Sequence, residues 1–201
     1  MSHSPVGGIL CLPPFGREGI LHVVVETPRG SRAKLKFDPE LDAFTLSKSL
    51  MLGLAYPYDW GFVPSTRAVD GDPVDVLVIH DAATTPGVVL RCRPLGVLEV
   101  LQKEKSRRIR NDRIVAVPAE AHRDHVLHTY RDLGRPTRDE LEKFFVASDA
   151  LDDKKLEFLG WKGPRRAIVL VKDGVRSFRK RGLRGGEDAV GPQAEKRARD
   201  P

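Results

Sequence analysis

Apolar and polar residues alternate along the middle of the chain in short runs that are typical of β-strands. Residues 22–27 form a β-branched run, and residues 33–37 alternate with a period of two. Further strands are predicted at 74–79, 88–93, 96–101 and 113–117. Because these strands follow one another without alternating helices, the pattern favours a small closed β-barrel over a parallel sheet.

Two helices are predicted after the strands. Residues 137–140 read Thr-Arg-Asp-Glu, a capping box that would open a helix continuing through Leu141, Phe144 and Phe145. Beyond Gly163 and Pro164, apolar side chains recur at helical spacing, although residues 168–171 could also form a strand. The predicted fold class is therefore mainly β (α+β), a barrel with flanking helices.

The two ends of the chain differ from its middle. The 201 residues are 40% hydrophobic and 31% charged, as expected of one globular domain. Residues 1–19 are rich in proline and glycine and are expected to form an irregular lead-in. Residues 182–201 are glycine-rich with few apolar side chains, which predicts a disordered basic tail. The barrel domain should span residues 20–181.

The net charge of +6 is concentrated at one end. Residues 174–201 carry +4 of it, so the rest of the chain is nearly neutral. A solvated tail is favoured over a nucleic-acid partner. Cys11 and Cys92 cannot build a disulfide framework, and neither an apolar run of membrane-spanning length nor a signal peptide is recognisable. We expect a cytoplasmic protein without a membrane partner.

The most informative segment is residues 70–75, Asp-Gly-Asp-Pro-Val-Asp, called here the Asp loop. Three carboxylates this close repel one another unless a cation shares them. Their hard oxygen atoms suit Mg²⁺, which also contacts the oxygens of phosphate substrates. A solvated acidic turn is an equally good interpretation of these six residues alone.

The segments around the Asp loop favour the metal site. Glu26 in Val-Val-Val-Glu-Thr-Pro, Lys34 in Lys-Leu-Lys-Phe-Asp, and Tyr56-Pro57 before Gly61-Phe62 precede it in that order. In this order and with these flanks, the chain resembles family I soluble inorganic pyrophosphatases over about residues 20–173. The resemblance implies a five-stranded OB-like barrel, Mg²⁺-dependent hydrolysis of inorganic pyrophosphate, and a homo-oligomer that is hexameric in bacteria.

The resemblance also implies a role for each matching residue. Asp70 and Asp75 would bind metal ions, and Asp72 would take the proton of the attacking water. Glu26 would not bind a metal ion directly but would orient the water molecules bound to it. The phosphate groups would be held by Lys34, Lys48, Tyr56 and Arg113.

Several positions depart from the family's usual residues. Lys36 stands where a glutamate is usual, Lys48 where an arginine is usual, and Trp60 where a tyrosine is usual. Lysine cannot reproduce the bidentate contact that arginine makes with phosphate. The pair Ser148-Asp149 aligns with a Tyr-Lys pair.

The segment after Leu98 departs further. Gln102 and Lys103 fall where metal-binding acids are expected. Asn111 aligns with another metal ligand, and a one-residue shift would give that role to Asp112 instead. Acids near the metals thus become neutral or basic, and an ammonium from Lys36 or Lys103 could replace an outer metal ion.

These departures leave two main functions open. One is a Mg²⁺-dependent inorganic pyrophosphatase that uses fewer metal ions. The alternative is a catalytically weak phosphate-binding or regulatory relative, which Lys36, Gln102, Ser148 and Asp149 would favour. A third hypothesis is a nucleic-acid-associated protein that acts through its basic tail.

Overall fold

The computed structural model describes residues 8–104, 107–120, 126–152 and 154–187. In these ranges the chain forms strands β1 (Leu21–Thr27), β2 (Ala33–Asp38), β3 (Ala43–Ser49), β4 (Asp59–Val63), β5 (Val74–Val78), β6 (Val89–Glu104), β7 (Arg107–Arg110), β8 (Arg113–Pro118) and β9 (Lys154–Lys162). Its α-helices are α1 (Gly134–Ser148) and α2 (Pro164–Glu187).

Five strands close into a ring in the order β1-β4-β5-β8-β6, because β1 also pairs with β6. The β5–β8 pairing is parallel, whereas the other pairings in the ring are antiparallel. Outside the ring, β7 and β9 pair with the long strand β6, and β2 and β3 form a separate hairpin. The predicted closed five-stranded barrel with flanking helices is confirmed.

The period-two alternation of the strands divides the core between two faces. On β5, Val74, Val76 and Val78 belong to a cluster that includes Ala167 and Val171 of α2. The intervening residues Leu77 and Ile79 belong to a second cluster, which α1 completes with Leu141, Phe144 and Phe145. Asp75 is two residues before Leu77 on the same strand, so β5 directs it toward the face of the second cluster.

Strands β1 and β4 approach closely at Gly61. A Cβ atom added there would lie 2.0 Å from the carbonyl oxygen of Val24. Only glycine allows the two backbones to pair at this distance. This contact explains why a glycine occurs within an otherwise bulky, fully buried strand.

The structure corrects several predicted elements. Segments 88–93 and 96–101 belong to one strand, β6, whose register shifts between Pro94 and Gly96. Helix α1 begins at Gly134, so Thr137 does not cap it. The capping box lies at Thr129 and Asp132, on the 3-10 helix Tyr130–Leu133. Strands β3, β4, β7 and β9 were not predicted.

The second predicted helix is confirmed, with Pro164 as its first residue, and residues 168–171 are helical. This helix continues to Glu187, past residue 182, where the sequence places the start of the tail. Residues 1–7 and 188–201 lie outside the described residues. No helix in the described ranges is long and apolar enough to cross a membrane.

Candidate active site

A polar cavity of about 280 Å³ lies where the Asp loop meets β1, β2 and β8. Seven of the nine predicted site residues line it: Glu26, Lys34, Tyr56, Asp70, Asp72, Asp75 and Arg113. The two others, Lys48 and Asp112, are not among its lining residues. The closure of the barrel thus brings residues that lie as far apart in sequence as Glu26 and Arg113 to one cavity.

The Asp loop ends the connection between β4 and β5 and runs into the first residues of β5. Gly71 adopts a φ of 99°, a left-handed conformation that favours glycine. The backbone N–H of Asp72 donates to Oδ1 of Asp70 at 3.2 Å, and the N–H of Ala68 donates to the carbonyl oxygen of Asp72 at 2.7 Å. These bonds present the first two aspartates at the cavity mouth, while Asp75 lies deeper on β5.

The electrostatics of the loop suit a cation. Burial raises the pKa of Asp75 to about 7, even though the charges of Lys34 and Arg113 oppose the shift. Burial, together with the negative charge of Asp72, also raises the pKa of Asp70. A divalent cation would relieve this cost of holding several carboxylates together.

Among the described residues, no three His, Cys, Asp or Glu side chains converge into a preformed metal cage. Such a cage is not required for Mg²⁺, which usually keeps several waters and takes one or two carboxylates plus substrate phosphate oxygens. The paired acids of the Asp loop therefore fit a magnesium ion that binds together with a phosphate substrate.

Lys36 lies inside the cavity and faces the Asp loop. Its Nζ donates to Oδ2 of Asp72 at 2.7 Å. Burial acts against the charge of Lys36, but the bond to Asp72 outweighs it and raises the pKa of the ammonium. Lys34 lines the same cavity, as the period-two alternation of β2 predicts. An ammonium thus stands directly beside the predicted proton acceptor.

Glu26 is held by the neighbouring hairpin. Its Oε1 accepts a hydrogen bond from the N–H of Phe37 at 2.8 Å. Burial raises the pKa of Glu26, although this bond and the charges of Lys34 and Lys36 oppose the shift. The position of Glu26 behind the Asp loop is compatible with a role in orienting water.

Arg113 is the most buried cation of the site, with 6% of its side chain exposed. Its guanidinium carbon lies 4.1 Å from the ring centroid of Phe145. Within the described part of the chain, three buried donors have no hydrogen-bond partner: Arg113 Nε, Arg113 Nη1 and Trp60 Nε1. A buried donor without a partner costs free energy, so these three N–H groups are suited to bind an acceptor such as a phosphate oxygen.

Lys48 does not line the cavity itself, but its side chain reaches two residues that do, Ser148 and Asp149 at the end of α1. Its Nζ donates to the carbonyl oxygen of Ser148 at 2.8 Å, to Oδ1 of Asp149 at 2.9 Å and to Oδ2 of Asp152 at 2.6 Å. Asp149 also faces Arg113, with Oδ2 3.5 Å from Nη2. Ser148 and Asp149, which replace the family's Tyr-Lys pair, therefore contact Lys48, and Asp149 also contacts Arg113. Both cations were predicted to bind phosphate.

The metal role predicted for Asp112 finds no support in this geometry. Its oxygens accept from Nε and Nη2 of Arg110 at 3.0 and 2.8 Å and from the N–H of Val100 at 3.0 Å, outside the cavity. Asn111 lines the cavity instead and donates to Oε1 of Gln102 at 3.2 Å. Two amides thus occupy the wall where the resemblance expects acids.

The structure differs from the sequence-based expectation at two further lysines. Lys154, the first residue of β9, lines the cavity, but β9 itself was not predicted. Lys103, considered as a metal substitute, does not line the cavity and lies 3.6 Å from Glu157. A strand prediction for the Lys-rich segment 154–162 would have been needed to find Lys154.

Comparisons with known proteins agree with this geometry. A family model described as "Inorganic pyrophosphatase" matches residues 23–179. An inorganic pyrophosphatase of Synechocystis sp. is 36% identical over 168 residues, which cover 84% of this chain and 97% of that protein. One from Pseudanabaena sp. is 39% identical over 171 residues, covering 84% of this chain and 92% of that protein.

A solved structure shows the same arrangement of the chain. The crystal structure of inorganic pyrophosphatase from Thermus thermophilus superimposes with a TM-score of 0.77 at 32% sequence identity. The match covers 84% of this chain and 97% of the other.

Proposed function

Because this chain belongs to the inorganic pyrophosphatase family, we propose that it hydrolyses inorganic pyrophosphate to two phosphates in a Mg²⁺-dependent reaction. The observation that carries this proposal is the single cavity in which the Asp loop faces cations with unpartnered donors. Acids at one end suit metal ions, and donors at the other suit phosphate oxygens. Hydrolysis of a phosphoric anhydride needs both, because metal ions activate the attacking water and the donors hold the phosphate groups.

Asp70 and Asp75 are the proposed metal-binding residues, with Glu26 behind them. When bound, Mg²⁺ neutralises phosphate charge and lowers the pKa of water. The raised pKa values of Asp70 and Asp75 support this role, because a cation favours the ionised form of both groups. Asp112 is not included, since its oxygens are engaged with Arg110 outside the cavity.

Asp72 is the proposed acceptor of the proton from the attacking water. Its side chain is half exposed at the cavity mouth, where water can reach it. Lys36 holds one of its oxygens, which leaves the other free to face the substrate.

Lys34, Tyr56 and Arg113 are proposed to hold the phosphate groups, with Lys48 beside them. The buried N–H groups of Arg113 and Trp60 would donate to phosphate oxygens in place of absent partners. Burial raises the pKa of Tyr56, so its hydroxyl remains a neutral donor at physiological pH. These residues bind and orient both phosphate groups beside the Asp loop.

We further propose a cytoplasmic homo-oligomer, a hexamer if it follows the bacterial family. The hairpin β2–β3 and the turn after it expose Leu41, Leu46, Met51 and Leu52, which a neighbouring copy could cover. The free thiols of Cys11 and Cys92 are compatible with a reducing compartment. Light scattering of the purified protein measures the oligomeric state directly.

The decisive experiment is phosphate release from pyrophosphate with and without Mg²⁺, compared between wild type and Asp72→Asn. We expect Mg²⁺-dependent hydrolysis by wild type and a loss of roughly 100-fold or more in the variant, because an amide cannot accept the proton. Magnesium binding, measured by calorimetry, should persist in Asp72→Asn.

Near-normal activity of Asp72→Asn would remove this residue from the proton-accepting role. Absence of hydrolysis by wild type would instead favour the weak phosphate-binding relative. The ion pair between Lys36 and Asp72 is the observation that favours that second function, since it ties up an oxygen of the proton acceptor.

A further inference from the structure

One carboxylate at the end of α1 bridges two cations of the proposed phosphate site. Asp149 places Oδ1 2.9 Å from Nζ of Lys48 and Oδ2 3.5 Å from Nη2 of Arg113. It thus gives one oxygen to each cation, as a bound phosphate group would. Asp149 also lines the active-site cavity, so it lies where substrate must enter.

The contact is shielded from solvent. The exposed fraction of the side chain is 13% for Asp149, 21% for Lys48 and 6% for Arg113. Charges in such surroundings interact more strongly than on the surface. Although burial opposes ionisation, the hydrogen bond from Lys48 and the charge of Arg113 outweigh it and lower the pKa of Asp149. The carboxylate is therefore negatively charged near neutral pH.

Asp149 leaves two N–H groups of Arg113 without a hydrogen-bond partner in the described part of the chain. Nε and Nη1 of Arg113 have no partner among the described residues. A phosphate group offers more oxygen atoms than a carboxylate and could reach donors that Asp149 leaves unpaired. The site is thus built so that a phosphate group can replace the carboxylate at the same cations.

We propose that Asp149 is an internal anion that competes with phosphate groups for Lys48 and Arg113, and so weakens the binding of pyrophosphate and of product phosphate. This inference rests on the proposed function, because it concerns the same cavity. It makes Asp149 a determinant of substrate affinity: the enzyme binds phosphate groups more weakly and releases them more readily than the same site without the carboxylate.

The test compares inorganic phosphate binding by the full-length wild type and Asp149→Asn at a fixed Mg²⁺ concentration, using calorimetry. We expect phosphate to bind roughly tenfold more tightly to the variant, because both cations lose the negative charge that they share, although Lys48 keeps its contact with Asp152. The KM for pyrophosphate should fall as well. Phosphate should also raise the Tm of Asp149→Asn more than that of wild type.

Asp139→Asn is the matched control. Asp139 lies on the same helix, is half exposed beside Arg135, and does not line the cavity. The substitution removes the same charge, so unchanged phosphate affinity would exclude a general effect of net charge. Asp152→Asn is a second variant, since Asp152 contacts Lys48 at 2.6 Å. It should tighten phosphate binding in the same direction by a smaller factor, even if Asp149→Asn folds poorly.

Equal or weaker phosphate binding by both variants would overturn the inference and make Asp149 a residue that positions the two cations. The two proposals fail in different ways. Hydrolysis by wild type without tighter binding in the variants contradicts only the competition. Tighter binding in the variants without hydrolysis by wild type contradicts only the catalytic function.

Discussion

Lys36 is the residue that most changes the charge balance of the Asp loop. Its ammonium contacts Asp72 at 2.7 Å, where the family's usual glutamate would add another carboxylate. Together with the amides of Gln102 and Asn111, this substitution removes acid groups from the wall that faces Asp70 and Asp75. The site therefore offers fewer carboxylates to any metal ion beyond those proposed at Asp70 and Asp75.

The first prediction concerns Lys36→Glu, which should create an additional Mg²⁺ site. The new carboxylate would join the acids of the Asp loop, and one more ion would have to bind before phosphate charge is neutralised. We expect the Mg²⁺ concentration for half-maximal activity to rise about three- to tenfold, a range that allows for solvent screening of these half-exposed groups. Calorimetry should report one additional ion.

Lys155→Glu is the control, because Lys155 is exposed on β9 and does not line the cavity. It makes the same charge change at a site where no metal ion is expected. Identical metal stoichiometry and identical Mg²⁺ dependence in wild type and Lys36→Glu would show that Lys36 does not replace a metal ion.

At the scale of elements, the pairing of β1 with β4 places Glu26 beside the Asp loop and depends on Gly61. We predict that Gly61→Ala destabilises the protein by about 3 kcal/mol, the upper end of the usual range for overpacking, because the added Cβ would lie 2.0 Å from the carbonyl oxygen of Val24. Urea denaturation measures this change.

Gly163→Ala is the comparison, since nothing lies within 4 Å of a Cβ atom there. Its effect should stay below about 1 kcal/mol, the usual range for a residue at the start of a helix. Equal stability of the two variants would mean that the strands can separate at Gly61 without cost.

The start of β4 is fixed by a buried carboxylate. Asp59 accepts from the N–H of Arg29 at 2.7 Å and from the hydroxyl of Thr84 at 2.6 Å, and its Oδ2 lies 2.9 Å from Nε2 of His80. Burial acts to raise the pKa of Asp59, but the bonds from His80, Thr84 and Arg29 outweigh it and lower the pKa. The ionised form therefore stabilises the fold.

A lowered pKa sets the sign of the pH dependence. The contribution of Asp59 is fully present above its ordinary pKa of 3.8 and is lost as the pH falls through the lower, folded-state pKa. We predict that Asp59→Asn costs roughly 1–3 kcal/mol at neutral pH. The difference in unfolding free energy from wild type should shrink in acid, and a difference that is constant down to pH 2 would contradict the assignment.

At the scale of the whole molecule, the residues that line the site all belong to the strands, to α1 or to the segments that connect them. We predict that removing residues 188–201 shifts the Tm by less than about 2 °C and leaves hydrolysis unchanged, because this glycine- and proline-containing segment has few apolar side chains. Thermal unfolding and the phosphate-release assay check both.

A large loss of stability on this truncation would show that the segment packs against the domain or against another subunit. The same variant also tests the nucleic-acid hypothesis. Binding that depends on residues 188–201 should disappear on truncation and fall steeply with salt concentration in the full-length chain.

The sequence by itself determined the features that depend on local pattern. β-Branched and alternating apolar runs placed β1, β2, β5 and β8, and the succession of short strands predicted a closed barrel. The spacing of the Asp loop identified its three carboxylates. The alternation of Lys34 and Lys36 correctly placed both on one face. Strands β3 and β9 escaped prediction because they are half exposed and rich in polar residues, which weakens the hydrophobic signal.

Only the tertiary structure decided which side chains meet across long separations. Asn111 lines the cavity and Asp112 does not, since Arg110 and the backbone of Val100 hold the carboxylate of Asp112. Lys48 and Asp149 are 101 positions apart, and they pair because the fold brings β3 to the end of α1. Such contacts depend on how elements pack rather than on the period of any segment, so no local pattern could reveal them.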